Sequence, residues 1–164
     1  MECVRYMKMK RILIPGGTGA MGIYLVPELR RRGYAVDVVS LDERTSDDPG
    51  LRYFKANFLD PEIRSHFCAE HYDAIVDFMI YPGENFRDAM DTLLGNTEHY
   101  IFLSSYRVYN ESCPITEDSP RLYDTSSDTA YLTTDDYSLY KAKGENIISA
   151  SGYRNYTKSE AKRS

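Results

Sequence analysis

A chain of 164 residues with 42% hydrophobic content is long enough for one domain with its own core, and its net charge of −5 lacks the basic face that a nucleic acid or an anionic membrane would want. Its three cysteines, Cys3, Cys68 and Cys113, are far apart and share no metal-ligand spacing with His66, His71 and His99, which points to reduced thiols, a cytoplasmic setting and no metal site. Residues 1–9 read as a mildly basic leader, and the apolar run behind them is too short for a secretory signal or a membrane span.

The first predicted element is a buried strand over 11–14, closed by Pro15-Gly16. Glycines then recur at every third position, Gly16, Gly19 and Gly22, in IPGGTGAMG. A helix is expected over 20–32, with Gly33 as its stop and Arg30, Arg31 and Arg32 complementing the carbonyl end of its dipole. Pro27 removes one of its hydrogen bonds and predicts a kink. Strands follow over 35–40 and 51–55, with a polar loop between them. Asp60, Pro61 and Glu62 read as N-cap, first-turn proline and first-turn acid of a helix to about residue 70. A strand over 74–80 (AIVDFMI), a helix over 84–94, a strand over 100–103 (YIFL) and a helix over 133–149 complete the alternation. That alternation predicts an α/β fold: a Rossmann-type doubly wound parallel sheet in three αβα layers over 10–157, with ligands outside the carboxyl ends of the strands.

The glycine spacing has a chemical meaning in that position. Between a strand and a helix, one glycine permits the tight turn, one lets backbone approach a phosphate, and one lets the helix pack on the sheet. Free N–H groups at the helix start then meet a pyrophosphate. Asp42, some twenty residues beyond Gly22, can accept from ribose hydroxyls and would repel a 2′-phosphate, which favours NAD over NADP. Arg44 tempers that preference.

Two later stretches carry a second pattern. In DYSLYKAKGEN, Tyr137 and Lys141 stand four apart and share a helix face, where an ammonium favours the phenolate and brings proton exchange nearer neutral pH. In FLSSYRVYN, Ser105 offers a hydroxyl to a substrate oxygen. Asp77, inside an apolar strand, needs a partner or stays protonated, and is read as support for the site rather than as a catalyst.

Together these stretches resemble the extended short-chain dehydrogenase/reductases, the NAD-dependent epimerase/dehydratases, from about residue 10 to 157. ILIPGGTGAMG is similar to the family's nucleotide-binding opening, which implies cofactor contacts from Gly16, Thr18, Gly19, Ala20, Met21 and Gly22. ANFLD resembles the segment that meets adenine, with Asn57 at the acid's position and Phe58 beside it. DAIVDFMI is similar to the strand lining the nicotinamide side, which brings in Phe78. SSYRVY and YSLYK match the serine and YxxxK signatures, so the resemblance implies catalysis by Tyr137, Lys141 and Ser105, with Lys141 also holding the nicotinamide ribose, and Glu145 repeats the family's usual acid. The implied activity is hydride transfer to and from a sugar or nucleotide-sugar, and homodimers packed through outer-layer helices belong to the same resemblance.

The chain departs from the family in three places. Family dehydratases carry Asp-Glu directly after the strand-five hydroxyl, whereas here Tyr106-Arg107 follow Ser105, so an epimerase or reductase is favoured over a 4,6-dehydratase. The loop over 106–135 is long and rich in hydroxyls and acids, a lid or an insertion. GYRNYT resembles the start of a sixth strand, but the polar tail 158–164 follows, and seven residues cannot build the family's C-terminal substrate lobe. The chain is thus expected to keep the cofactor fold and to lack most determinants of substrate choice. A non-catalytic NAD(P)-binding sensor or RNA-associated protein on this fold, or an inactive remnant, is the alternative; the Tyr-Lys pair counts against a sensor and the acidic balance against RNA.

Overall fold

Six strands form one sheet: β1 (Arg11–Pro15), β2 (Ala35–Ser40), β3 (Leu51–Lys55), β4 (Ala74–Asp77), β5 (Tyr100–Ser105) and β6 (Tyr156–Ala161). Their order is β3-β2-β1-β4-β5-β6, and every neighbouring pair is parallel. The computed structural model describes residues 9–81, 83–110, 114–116 and 118–161. The connections carry α1 (Gly22–Arg31), α2 (Pro61–Cys68), α3 (Phe86–Gly95), α4 (Leu122–Thr125), α5 (Thr129–Leu132) and α6 (Tyr137–Ala150). One-turn 3-10 segments at Gly83–Asn85 and Tyr106–Val108 precede α3 and follow β5.

Side-chain alternation along the strands divides the core into two. Ile12 and Ile14 join Val36, Val38 and Val26 of α1 on one face, whereas Leu13, Val39, Ile75, Tyr100 and Phe102 pack with residues of α2, α3 and α6 on the other. The expected three αβα layers are therefore present but uneven, with three long helices on one side and α1 on the other. On the α1 side, Val76, Ile101 and Leu103 are only half-buried.

Local sequence explains most boundaries. Gly33, at φ 85°, ends α1 in a Schellman arrangement: its N–H donates to Arg30 O at 2.9 Å, and that of Tyr34 to Leu29 O at 3.1 Å. Asp60 caps α2 by accepting the Glu62 N–H at 2.8 Å, with Pro61 in the first turn. Several boundaries shift from expectation, and four of the differences have a physical cause. Helix α1 begins at Gly22 rather than residue 20, because the glycine loop occupies 16–21. Strand β4 stops at Asp77 rather than 80, where its carboxylate takes the Met79 N–H at 2.8 Å and turns the chain out of the sheet. Helix α6 starts at Tyr137 rather than 133, because Asp136 caps it there and residues 129–132 form α5. The sixth strand continues past Thr157 to Ala161, an edge position where polar residues are tolerated.

The order of the sheet places the crevice. From β1 the chain builds outward to β2 and β3, then returns to β4 on the other side of β1, so the topological switch lies between the carboxyl ends of β1 and β4. Cys68 is free and buried, while Cys3 and Cys113 lie outside the described residues. No helix among the described residues is long and apolar enough to cross a membrane.

Candidate functional site

The glycines after β1 prove to have different reasons. Gly16 sits at φ 73°, its N–H bonded to Val39 O at 2.8 Å, and a Cβ there would stand 3.2 Å from the Cβ of Phe78. The turn itself requires glycine at that position. At Gly22 a Cβ would lie 2.0 Å from the Gly17 carbonyl oxygen, so the first turn of α1 rests directly on the loop. Gly17, which the spacing of three did not single out, is also tightly packed: a Cβ would come within 2.8 Å of Ile14 Cγ2.

Gly19 is different. Its φ is unexceptional, it is exposed, and a Cβ would meet nothing nearer than Gly16 O at 3.4 Å. Nothing in the folded chain demands glycine there, so the open space in front of it is available to a ligand. The N–H groups of Thr18, Ala20, Met21 and Gly22 make no hydrogen bond to the described residues. Helix α1 starts at Met21 without a side-chain cap or a first-turn acid, which leaves the positive end of its dipole uncompensated. Uncommitted donors around a bare helix start fit a diphosphate.

The adenosine side is assembled less completely. Asp42 lies exposed beyond the end of β2, its N–H held by Ser40 Oγ at 3.2 Å and its carboxylate free of partners among the described residues. Asn57 is exposed, but its Oδ1 accepts the Leu59 N–H at 3.1 Å and its carbonyl the Asp60 N–H at 3.1 Å, so it also shapes the turn into α2. Phe58 is 1% exposed and its ring packs 6.3 Å from that of Phe67, which leaves only its backbone for a ligand. Phe78 closes the crevice from β4, its N–H bonded to Pro15 O at 3.1 Å.

At the other end of the crevice stand Ser105, Tyr137 and Lys141. Ser105 ends β5; its Oγ accepts the Arg107 N–H at 3.3 Å and caps the 3-10 segment, which packs against α6. Tyr137 is the first residue of α6, 37% exposed, at the helix end whose dipole favours an anion. Lys141, one turn on, is 3% exposed. Its Nζ lies 4.8 Å from the ring centre of Phe102, 5.4 Å from that of Tyr140 and 5.5 Å from that of Tyr137. Burial lowers the Lys141 pKa, and the charge of Asp77 opposes that shift. No hydrogen bond links Ser105 to Tyr137; the contact of β5 and its 3-10 segment with α6 brings them to one edge.

The site rests on groups whose partners sequence reasoning did not supply. Asp77 is 2% exposed and accepts from Tyr81 OH at 2.9 Å and Tyr100 OH at 2.8 Å, while burial pushes its pKa up. Tyr140 OH accepts the Tyr81 N–H at 2.8 Å. The need of Asp77 for partners was legible; which of the 15 tyrosines would supply them was not. Glu145 is bonded by Ser104 Oγ and paired with Arg121 at 3.1 Å. Arg121 also bonds Asp124 and Asn146, which ties α4 to α6. The long loop is thus largely built: Tyr109 and Arg121 form an antiparallel bridge, and Tyr131 OH meets Ser138 Oγ at 2.6 Å beside Tyr137. Among the described residues, no group of three or more His, Cys, Asp or Glu is gathered to hold a metal.

Comparison with known proteins agrees with this fold. The family model described as the NAD dependent epimerase/dehydratase family matches residues 12–157. Among solved structures, the Bordetella bronchiseptica enzyme WbmH in complex with NAD+ superposes with a TM-score of 0.70 at 18% identity, over 93% of this chain and 56% of that one. The dTDP-glucose 4,6-dehydratase from Bacillus anthracis in complex with NAD gives 0.67 at 19% identity, over 93% and 54%. UDP-glucose-4-epimerase from Stenotrophomonas maltophila, with bound NAD and formylated UDP-arabinopyranose, gives 0.64 at 19% identity, over 92% and 52%. The chain spans about half the length of these structures. No curated protein matches it by sequence.

Proposed function

This chain belongs to the NAD dependent epimerase/dehydratase family, and from that premise we propose that it is an NAD-dependent epimerase or reductase acting on a sugar or nucleotide-sugar. One observation carries the reading: Lys141 Nζ lies 5.5 Å from the ring centre of Tyr137, the first residue of α6, while the glycine loop after β1 leaves the N–H groups of Thr18, Ala20, Met21 and Gly22 uncommitted. The Tyr106-Arg107 pair after Ser105, where an acid pair would serve a dehydratase, supports epimerase or reductase chemistry.

The residues divide the work by position. Thr18, Ala20, Met21 and Gly22 hold the diphosphate of NAD with backbone N–H groups, and Gly16 and Gly19 clear its path. Asp42 accepts from the adenosine ribose, where its charge disfavours a 2′-phosphate. Asn57 and the backbone of Phe58 border the adenine, and Phe78 with Lys141 borders the nicotinamide end. When bound, the nicotinamide supplies the acceptor and donor of hydride. Ser105 orients the substrate's reacting oxygen. Tyr137 takes the proton from that oxygen on oxidation and returns it on reduction, with Lys141 one turn along the same helix. Cys68, free and buried, is in keeping with a reducing, cytoplasmic setting.

The test is calorimetric titration with NAD and with NADP, followed by Tyr137→Phe. NAD should bind more tightly than NADP. Tyr137→Phe should retain NAD affinity while any turnover on a nucleotide-sugar panel falls by about 10²–10⁴-fold. Absence of NAD binding would overturn the proposal, and turnover indifferent to Tyr137→Phe would remove Tyr137 from it.

A further inference from the structure

Strand β4 carries a carboxylate where its neighbours are apolar. Asp77 stands between Val76 and Phe78, 2% exposed, on the side of the sheet where Tyr81, Phe86, Tyr100 and Phe102 form the core and where Arg64 is also buried, its guanidinium 5.5 Å from the Tyr81 ring centre. Its oxygens are occupied by three donors: the Met79 N–H on Oδ1, and the hydroxyls of Tyr81 and Tyr100 on Oδ2, all within 2.9 Å. That satisfies its hydrogen bonds and leaves its charge uncompensated at contact distance, since no ion pair to a described residue includes it. Isolated buried charge is costly enough that it needs an answering charge or a proton.

Lys141 presents the mirror of this situation. Its Nζ is buried against the rings of Phe102, Tyr140 and Tyr137 and makes no ion pair or hydrogen bond to a described residue. Aromatic faces attract an ammonium, but by less than desolvation takes from it. Burial lowers the Lys141 pKa and raises that of Asp77, and in each case the charge of the other opposes the shift. Contiguous contacts join the two. Tyr81 donates its hydroxyl to Asp77 and its N–H to Tyr140 OH, and the Tyr140 ring faces Lys141.

We propose that Asp77 is the buried counter-charge that keeps Lys141 an ammonium, and is therefore a positioning residue for Tyr137, acting through Lys141 without touching substrate. The inference rests on Tyr137 being the acid/base of the proposed function. Other ionisable groups around Lys141 do not fill this role. Tyr81 from the loop, Tyr100 from β5 and Tyr140 from α6 are all pushed upward by burial and stay neutral. Glu145, one turn further along α6, is paired with Arg121. Arg107, from the 3-10 segment, acts on Asp136. Arg87, Asp88 and Asp91 of α3 are exposed.

The experiment reads Tyr137 directly. The full chain carrying ¹³Cζ-tyrosine is titrated by NMR, with the Tyr137 resonance assigned by Tyr137→Phe. Asp77→Asn removes the counter-charge, so Lys141 gives up its proton at lower pH and the Tyr137 midpoint should rise by about 1 unit or more. Lys141→Gln should raise it at least as far, and the double variant no further than Lys141→Gln alone. Tyr100→Phe, which removes one hydrogen bond that favours the same carboxylate but leaves the carboxylate itself, should raise the midpoint less than Asp77→Asn does. A Tyr137 midpoint unmoved or lowered by Asp77→Asn, or a shift that adds to that of Lys141→Gln, overturns the proposal. Should Asp77→Asn fail to fold, the unmodified protein decides: a ¹³Cγ shift showing Asp77 protonated, or a ¹⁵Nζ shift showing Lys141 neutral, at about pH 7 overturns it. None of these readouts uses NAD, so a failure of NAD to bind counts against the proposed function alone.

Discussion

Gly19 and Gly22 stand three residues apart in one loop, yet the same substitution tests different physics at each. A side chain at Gly22 must displace the Gly17 carbonyl, which a Cβ would approach to 2.0 Å. Gly22→Val is expected to destabilise the fold by about 1–3 kcal/mol or more, seen as a lower melting temperature, and to weaken NAD binding with it. Gly19→Val has room in the free protein, so its melting temperature should match the parent while NAD affinity falls at least about tenfold, a 1.4 kcal/mol difference. Equal loss of stability in both variants would show that the loop, rather than a ligand, sets the need for glycine at 19. The sequence revealed the spacing because backbone requirements leave a compositional trace. It did not reveal that Phe58 turns inward, since a phenylalanine beside a turn is equally suited to a ligand or to the core, and only the Phe67 ring decides.

At the level of elements, the opposite edge of the sheet is held by charge. Asp37 of β2 is paired with Arg52 of β3 at 2.6 Å and Arg11 of β1 at 3.1 Å, and accepts from Tyr72 OH at 2.8 Å. Burial pushes its pKa up, but the bonds from Arg52, Tyr72 and Arg11 outweigh this, and the net shift is downward. A carboxylate with a depressed folded pKa stabilises the fold above its unfolded value, near pH 4, and that contribution is lost as pH falls through the folded value. The urea midpoint of the parent should therefore drop more steeply below about pH 4 than that of Asp37→Asn. At neutral pH the variant should be less stable by about 1–3 kcal/mol, because charged hydrogen bonds from Arg52 and Arg11 are lost, although Arg11 keeps Glu70. Parallel acid profiles would remove Asp37 from the account. Element types and most strand limits were legible because caps and turn residues mark them: Asp60-Pro61 for α2 and Gly33 for α1. The limits that moved, at β4 and α6, moved because the side chains of Asp77 and Asp136 bond nearby N–H groups and impose local turns that periodicity cannot register.

Over the whole molecule, the strand-helix alternation made the parallel three-layer fold legible, whereas the uneven distribution of helices was not, since pattern alone does not say which face each helix takes. The strand order gives a graded prediction for hydrogen exchange. Amides of β1 are bonded or flanked on both sides, by β2 and β4, and should be the slowest to exchange; those of β3 and β6 occupy the two edges and should be the fastest of the strands. Slow exchange at β6 in the isolated chain would mean that its outer edge is covered.

That central place of β1 also has a consequence in time. The first strand in chain order needs a neighbour on each side, and its second neighbour, β4, ends only at Asp77, well after β3 completes the other side at Lys55. During synthesis the half-sheet β3-β2-β1 emerges with β1 as a raw apolar edge. At ribosomal speeds of roughly 5–20 residues per second, that edge waits on the order of one to four seconds for its partner. The strand that anchors the finished protein is, for that interval, the part of the nascent chain most in need of shelter.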